Sequence, residues 1–185
     1  MNRIISWVFF LLLLSMAGSA AASNGGGDEK QAFREKLIEY ENRFRREHGL
    51  DTLKLNQVLT AVAQAYAEEL ARFDRGLSHV SRSDGSEPPD RVSRAEYDYS
   101  TVGENLYRFT FHGKVVVPVA PAEHVLERWK SSKPHRDNIL SPEFTEAGIG
   151  VARSPSDKTM YYVQVFARPL SPPDIDTRRE RQPGK

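Results

Sequence analysis

Three short polar stretches carry the side chains best equipped for chemistry: Ser78-His79, Gly103-Glu104-Asn105, and Pro134-His135-Arg136-Asp137-Asn138. An imidazole beside a carboxylate makes an acid–base pair, the carboxylate fixing the tautomer of the ring. All three stretches read as lying outside helix interiors, where sites tend to be built. Their separations, 25 residues from His79 to Glu104 and 31 from Glu104 to His135, match no diagnostic spacing. The chain has no G-x-S-x-G elbow, phosphate-binding loop, H-E-x-x-H or G-x-G-x-x-G. It also has no cysteine, which excludes thiol catalysis and thiolate metal sites, so any metal would need His and carboxylate ligands. Each candidate has a plain structural use as well. His79 can satisfy loop backbone groups, His135 can orient the chain entering Ile139-Leu140, and Glu104 can cap backbone donors. His48, His112 and His124 read as a helix terminus, a turn and a helix face.

The N-terminus supplies Arg3, an apolar run over residues 4–14, and the small residues Ser19-Ala20-Ala21-Ala22. That is the layout of a secretory signal peptide, expected to be cleaved near Ala22. The apolar run is shorter than the roughly 20 residues of a membrane-crossing helix, so no stable membrane span is expected after cleavage. Loss of Arg3 brings the formal charge of +1 to roughly zero, which gives no electrostatic reason to propose nucleic acid as a partner. Without disulfides, stability has to come from burial, which a chain of this size can supply.

The candidate residues are positioned by an ordered set of elements. Residues 23–28 read as a linker, 29–169 as one domain and 170–185 as a disordered tail. Phe33, Leu37, Tyr40 and Phe44 mark an amphipathic helix from Glu29 that ends at His48-Gly49. A second helix is expected after the N-cap Asn56, with Leu59, Val62, Ala63, Tyr66, Leu70 and Phe73 on one face. A short helix over 90–95 follows the breakers Asp84-Gly85 and Pro88-Pro89. Residues 102–106 fit no periodicity. Residues 107–119 read as a hairpin turning at His112-Gly113. Pro121 should open a helix carrying Val125, Leu126 and Trp129, and Pro134 should stop it. Residues 147–152 and 160–167, separated by Ser154-Pro155-Ser156-Asp157, should pair as an antiparallel hairpin. Helices followed by strands, without βαβ alternation, argue for the α+β class.

Ser78-His79, Gly103-Glu104-Asn105-Leu106, Trp129-x-x-Ser132-x-x-His135-Arg136-x-Asn138-Ile139-Leu140 and Gly148-Ile149-Gly150 together resemble the SCP domain of the CAP superfamily. That superfamily comprises cysteine-rich secretory, antigen-five and plant pathogenesis-related proteins, and the W-x-x-S-x-x-H form is typical of its bacterial branch. The resemblance spans residues 30–169. It implies an α-β-α sandwich, a small antiparallel sheet between helical layers, with a central cleft. In better known members two His and two Glu line that cleft and in some cases hold a divalent cation. By motif, His79, Glu104 and His135 take three of these positions, and Ser132 stands where the family has its second Glu.

Two imidazoles and one carboxylate are the ligand set of an open zinc site, with water in the remaining position. Two functions are therefore expected. One is a secreted or periplasmic module whose cleft, with His79, Glu104, Ser132 and His135, binds a small apolar, lipid-like or peptide ligand, with or without a divalent metal. The other is a metal-dependent hydrolase or protease with His79 and His135 as metal ligands and Glu104 as catalytic base. A monomer is expected in either case.

Overall fold

The computed structural model describes residues 25–113 and 119–171. The expected signal peptide, the return of the 107–119 hairpin and nearly all of the tail lie outside the described residues. Helix α1 (Gly25–Glu47) starts ahead of Glu29, so residues 25–28, expected as linker, form its first turn. Asp28 sits in that turn, where a negative charge complements the positive end of the helix dipole. Strand β1 (Lys54–Leu55) is followed by α2 (Gln57–Phe73), capped as expected: Asn56 Oδ1 accepts from the N–H groups of Val58 and Leu59 at 2.8 and 3.1 Å. Helix α3 (Pro88–Arg94) begins earlier than expected, because Pro88-Pro89 occupy first-turn positions where a missing N–H costs nothing. Asp90 reinforces that start by accepting from the Glu87 N–H at 2.9 Å.

Strand β2 (Tyr99–Thr110) absorbs residues 102–106. Beyond it lie α4 (Ala122–Lys130), α5 (Lys133–Ile139), β3 (Glu146–Arg153) and β4 (Thr159–Pro169). Pro134 does more than end α4, since it lies in the first turn of α5 and helps to start it. His135 and Asn138 are thus helical, which corrects the reading that all three polar stretches lie outside helix interiors, while Glu104 lies within a strand.

Strand order is β1-β3-β4-β2. The β3–β4 hairpin is antiparallel as expected, and Asp157 turns it by donating to the Ser154 carbonyl at 2.9 Å. β2 pairs antiparallel with β4, from Tyr99 opposite Pro169 to Thr110 opposite Thr159. The two-residue β1 runs parallel to β3, so the sheet is mixed and not purely antiparallel.

Strand alternation divides the core into two layers. On one face Ile149, Val151, Tyr162 and Phe166 pack with Phe33 and Leu37 of α1, Val125 and Trp129 of α4, and Ile139 of α5. On the other, Tyr161, Val163, Val165 and Leu106 pack with Leu59, Val62, Tyr66 and Leu70 of α2 and Val92 of α3. The result is an α-β-α sandwich. Gly148 and Gly150 explain how closely α2 lies on the sheet. A Cβ at either would collide with the α2 backbone, at Leu59-Thr60 and Ala63-Gln64 respectively.

Candidate functional site

The site is built around β2, the edge strand over which the two helical layers meet. Successive strand residues point to opposite faces, so Glu104 and Asn105, both buried, serve different layers. Glu104 reaches toward α2, α3 and the loop between them. Asn105 reaches toward α5.

Glu104 is fully engaged. Its Oε1 meets His79 Nδ1 at 2.8 Å and its Oε2 accepts from the Arg91 guanidinium at 2.7 Å. Its side chain is 1% exposed, against 10% for Arg91 and 54% for His79, so a buried carboxylate anchors an imidazole that looks out to solvent. Arg91, on α3, also donates to the main-chain carbonyls of His79 and Ser86 at 3.1 and 2.8 Å. Its guanidinium stacks on the Tyr66 ring at 3.5 Å from the centroid, a cation–π contact that a planar cation makes well. The Tyr66 hydroxyl donates to the Ser78 carbonyl, so α2, α3, β2 and the His79 loop are tied at one point. Ser78 Oγ shapes the loop further by contacting the Val80 main chain at 2.9 and 3.0 Å. Leu77 and Val80, on either side of this turn, are two of the exposed large apolar side chains, at 44% and 45%.

On the opposite face, Asn105 Nδ2 donates to the His135 carbonyl at 3.0 Å, and Asn138 Nδ2 donates to Asn105 Oδ1 at 2.9 Å. This pair of amides clamps the first turn of α5 to β2 next to Glu104. Ser132 is the N-cap of α5, but its hydroxyl makes no capping hydrogen bond. The structure therefore joins His79 to Glu104 directly and sets His135 nearby. Of the other histidines, His48 ring Nδ1 lies 2.8 Å from the Phe44 carbonyl at the end of α1, and His124 ring Nε2 lies 3.1 Å from the Tyr107 hydroxyl.

The two site imidazoles are biased in opposite directions. The hydrogen bond to Glu104 raises the His79 pKa against the opposing effect of burial. Burial lowers the His135 pKa, and the nearby His79 charge lowers it further. His79 therefore keeps its proton to higher pH than His135 does.

The donor set fits a resident metal poorly. Both Glu104 oxygens are already held by His79 and Arg91, and the remaining family position is Ser132. That leaves two imidazoles, fewer than the three protein ligands of an open zinc site. Among the described residues no group of three or more His, Asp or Glu side chains is placed to hold a metal ion. Sequence reasoning missed Arg91 and Tyr66, which fix Glu104 and the His79 loop. Their only sequence signal was position, one on the second apolar face and one in the short helix after the double proline.

Residues 38–166 match the model of the cysteine-rich secretory protein family, CAP. The chain is 30% identical over 132 residues to the protein YkwD of Bacillus subtilis, covering 71% of this chain and 47% of YkwD, so it spans less than half of that relative. Among solved structures, an extracellular SCP-domain protein of Bacillus anthracis superposes with a TM-score of 0.58 at 26% identity, over 75% of this chain and 41% of its own. An outer surface protein of Borrelia burgdorferi superposes with a TM-score of 0.60 over 77% of this chain and 94% of its own; at 17% identity it shows the fold alone.

Proposed function

This chain belongs to the cysteine-rich secretory protein (CAP) family, and we propose that it is an extracytoplasmic binding module whose cleft at the β2 edge holds a small apolar, lipid-like or peptide ligand without turning it over. The observation that carries this reading is the state of Glu104. With one oxygen on His79, the other on Arg91 and its side chain 1% exposed, the carboxylate is turned inward, away from the substrate that a general base must reach. It works instead as the anchor of a rim that presents His79 between the exposed Leu77 and Val80. A polar group set within an apolar rim suits recognition of an amphipathic ligand, the polar contact giving orientation and the apolar contacts affinity.

Placement outside the cytoplasm is supported by the signal-like N-terminus and by neighbours described as an extracellular protein and an outer surface protein. Among the described residues no helix is long and apolar enough to cross a membrane. The protein acts as a monomer in this reading.

Metal content tests it. Protein purified without chelator, together with His79→Ala and His135→Ala variants, is expected to take up no stoichiometric divalent metal at micromolar zinc. Stoichiometric zinc lost in both variants would favour the metal-dependent hydrolase instead. In parallel, lipid extracts of protein recovered from its native host are expected to contain a co-purifying apolar compound that is depleted in a Leu77→Asp, Val80→Asp double variant. Equal amounts in both proteins would remove the rim from the reading.

A further inference from the structure

Glu41 lies on the inner face of α1, wholly buried and outside the cleft, against the equally buried Gln164 of the inner strand β4. Gln164 Nε2 donates to Glu41 Oε2 at 2.6 Å. The other oxygen of each side chain, Glu41 Oε1 and Gln164 Oε1, is buried and has no hydrogen-bond partner. An orphaned buried acceptor is costly, and here two occur on a pair already joined along its other edge. A carboxylic acid and a primary amide have complementary edges. One proton on Glu41 Oε1, donated to Gln164 Oε1, satisfies both orphans at once.

We propose that Glu41 is held as the neutral carboxylic acid at neutral pH, closing a two-bond ring with Gln164 that acts as a proton-dependent lock between α1 and the sheet. The surroundings favour this form. From its own helix the charged group acting on Glu41 is Arg45. The Arg45 guanidinium is directed elsewhere, donating to the carbonyls of Asp51, Ile139, Ser141 and Phe144 at 2.7 to 3.3 Å. From β3 the layer receives Ile149, whose carbonyl accepts from Arg34 at 2.8 Å. From α4 it receives Trp129, whose buried indole Nε1 also has no hydrogen-bond partner and carries no charge, while Glu123, Glu127 and Lys130 lie at the outer groove beside Tyr40 and Phe44. Burial pushes the Glu41 carboxyl up to about 8, with the Gln164 hydrogen bond and Arg45 pulling weakly the other way.

The lock lies one strand away from the candidate site. Gln164 is the register partner of Asn105, which holds the His135 carbonyl.

Because the folded state binds this proton more tightly than the unfolded chain, the stability it confers is complete below the ordinary carboxyl value of 4.5 and is lost as pH rises toward about 8. The test is carboxyl 13C NMR on the full chain labelled at glutamate. One resonance, assigned to Glu41 through its bonded carbons, should keep its protonated position at neutral pH and titrate only in the alkaline range. A Glu41 carboxyl that titrates in the ordinary carboxylate range, as a bridging water and an ionised side chain would give, overturns the proposal. Glu41→Gln provides a second readout, since it replaces the acid with a non-titrating amide of the same shape. The melting temperature of the natural protein should fall relative to the variant between about pH 5 and about pH 9. Parallel curves would likewise overturn it, and the NMR measurement decides even if the variant does not fold.

Discussion

At Glu104 one buried carboxylate is shared between a permanent cation and a titrating one, and the two partners have different consequences. Arg91 neutralises the charge at all accessible pH values, so removing it leaves a buried carboxylate supported only by a half-exposed imidazole. Arg91→Ala should therefore cost about 3 kcal/mol or more in chemical denaturation, the range for breaking a buried pair from one side. It should also raise the His79 pKa further, since Arg91 currently lowers it.

The two imidazoles make a second test at this scale. Followed by NMR, His79 should titrate above the ordinary value of 6.5 and His135 below it. Glu104→Gln should move His79 down, because its hydrogen-bonded anion is lost while burial remains. The signs for stability follow. The His79 contact contributes fully below 6.5 and fades as pH rises through its raised folded value, whereas the environment of His135 favours folding above 6.5 and that contribution fades as pH falls. Coincident titration of the two rings would mean that they do not share the electrostatic environment described here.

At the scale of elements, what was legible in the sequence was the apolar periodicity. The α2 face, its Asn56 cap and the β3–β4 hairpin all follow from local pattern, because each is specified by residues within a turn or two of one another. Residues 102–106 were illegible since Gly, Glu and Asn are poor strand formers. They are nevertheless strand because β4 pairs with every position from Val102 to Leu106 and both faces are covered by helices. Pro134 was read only as a stop for a related reason: a proline that follows one helix is equally suited to begin the next, and only the chain path tells whether it does. The G-x-G of β3 is an element-scale device, letting α2 lie backbone to backbone against the sheet. Gly150→Ala should push α2 outward and destabilise the domain by about 1–3 kcal/mol or more, read as a lower denaturant midpoint. An unchanged midpoint would show that α2 can shift without cost.

For the whole molecule, the decisive feature is that the sheet is covered on both faces while β2 stays at its edge. That geometry lets a loop after α2 and the start of α5 approach neighbouring residues of one strand from opposite sides. The sequence by itself determined the helices α1, α2 and α4, the β3–β4 hairpin, the α+β class, the absence of thiol chemistry and the identity of His79, Glu104 and His135 as candidates, because these rest on residue type and short-range pattern. Only the tertiary structure decided that Arg91 takes the second oxygen of Glu104, that Asn105 clamps His135 and that Glu41 meets Gln164 from 123 positions away. Such pairings depend on which layer each helix joins and on the register between β2 and β4. Both are set by the packing of the whole core, and no local run of residues encodes them.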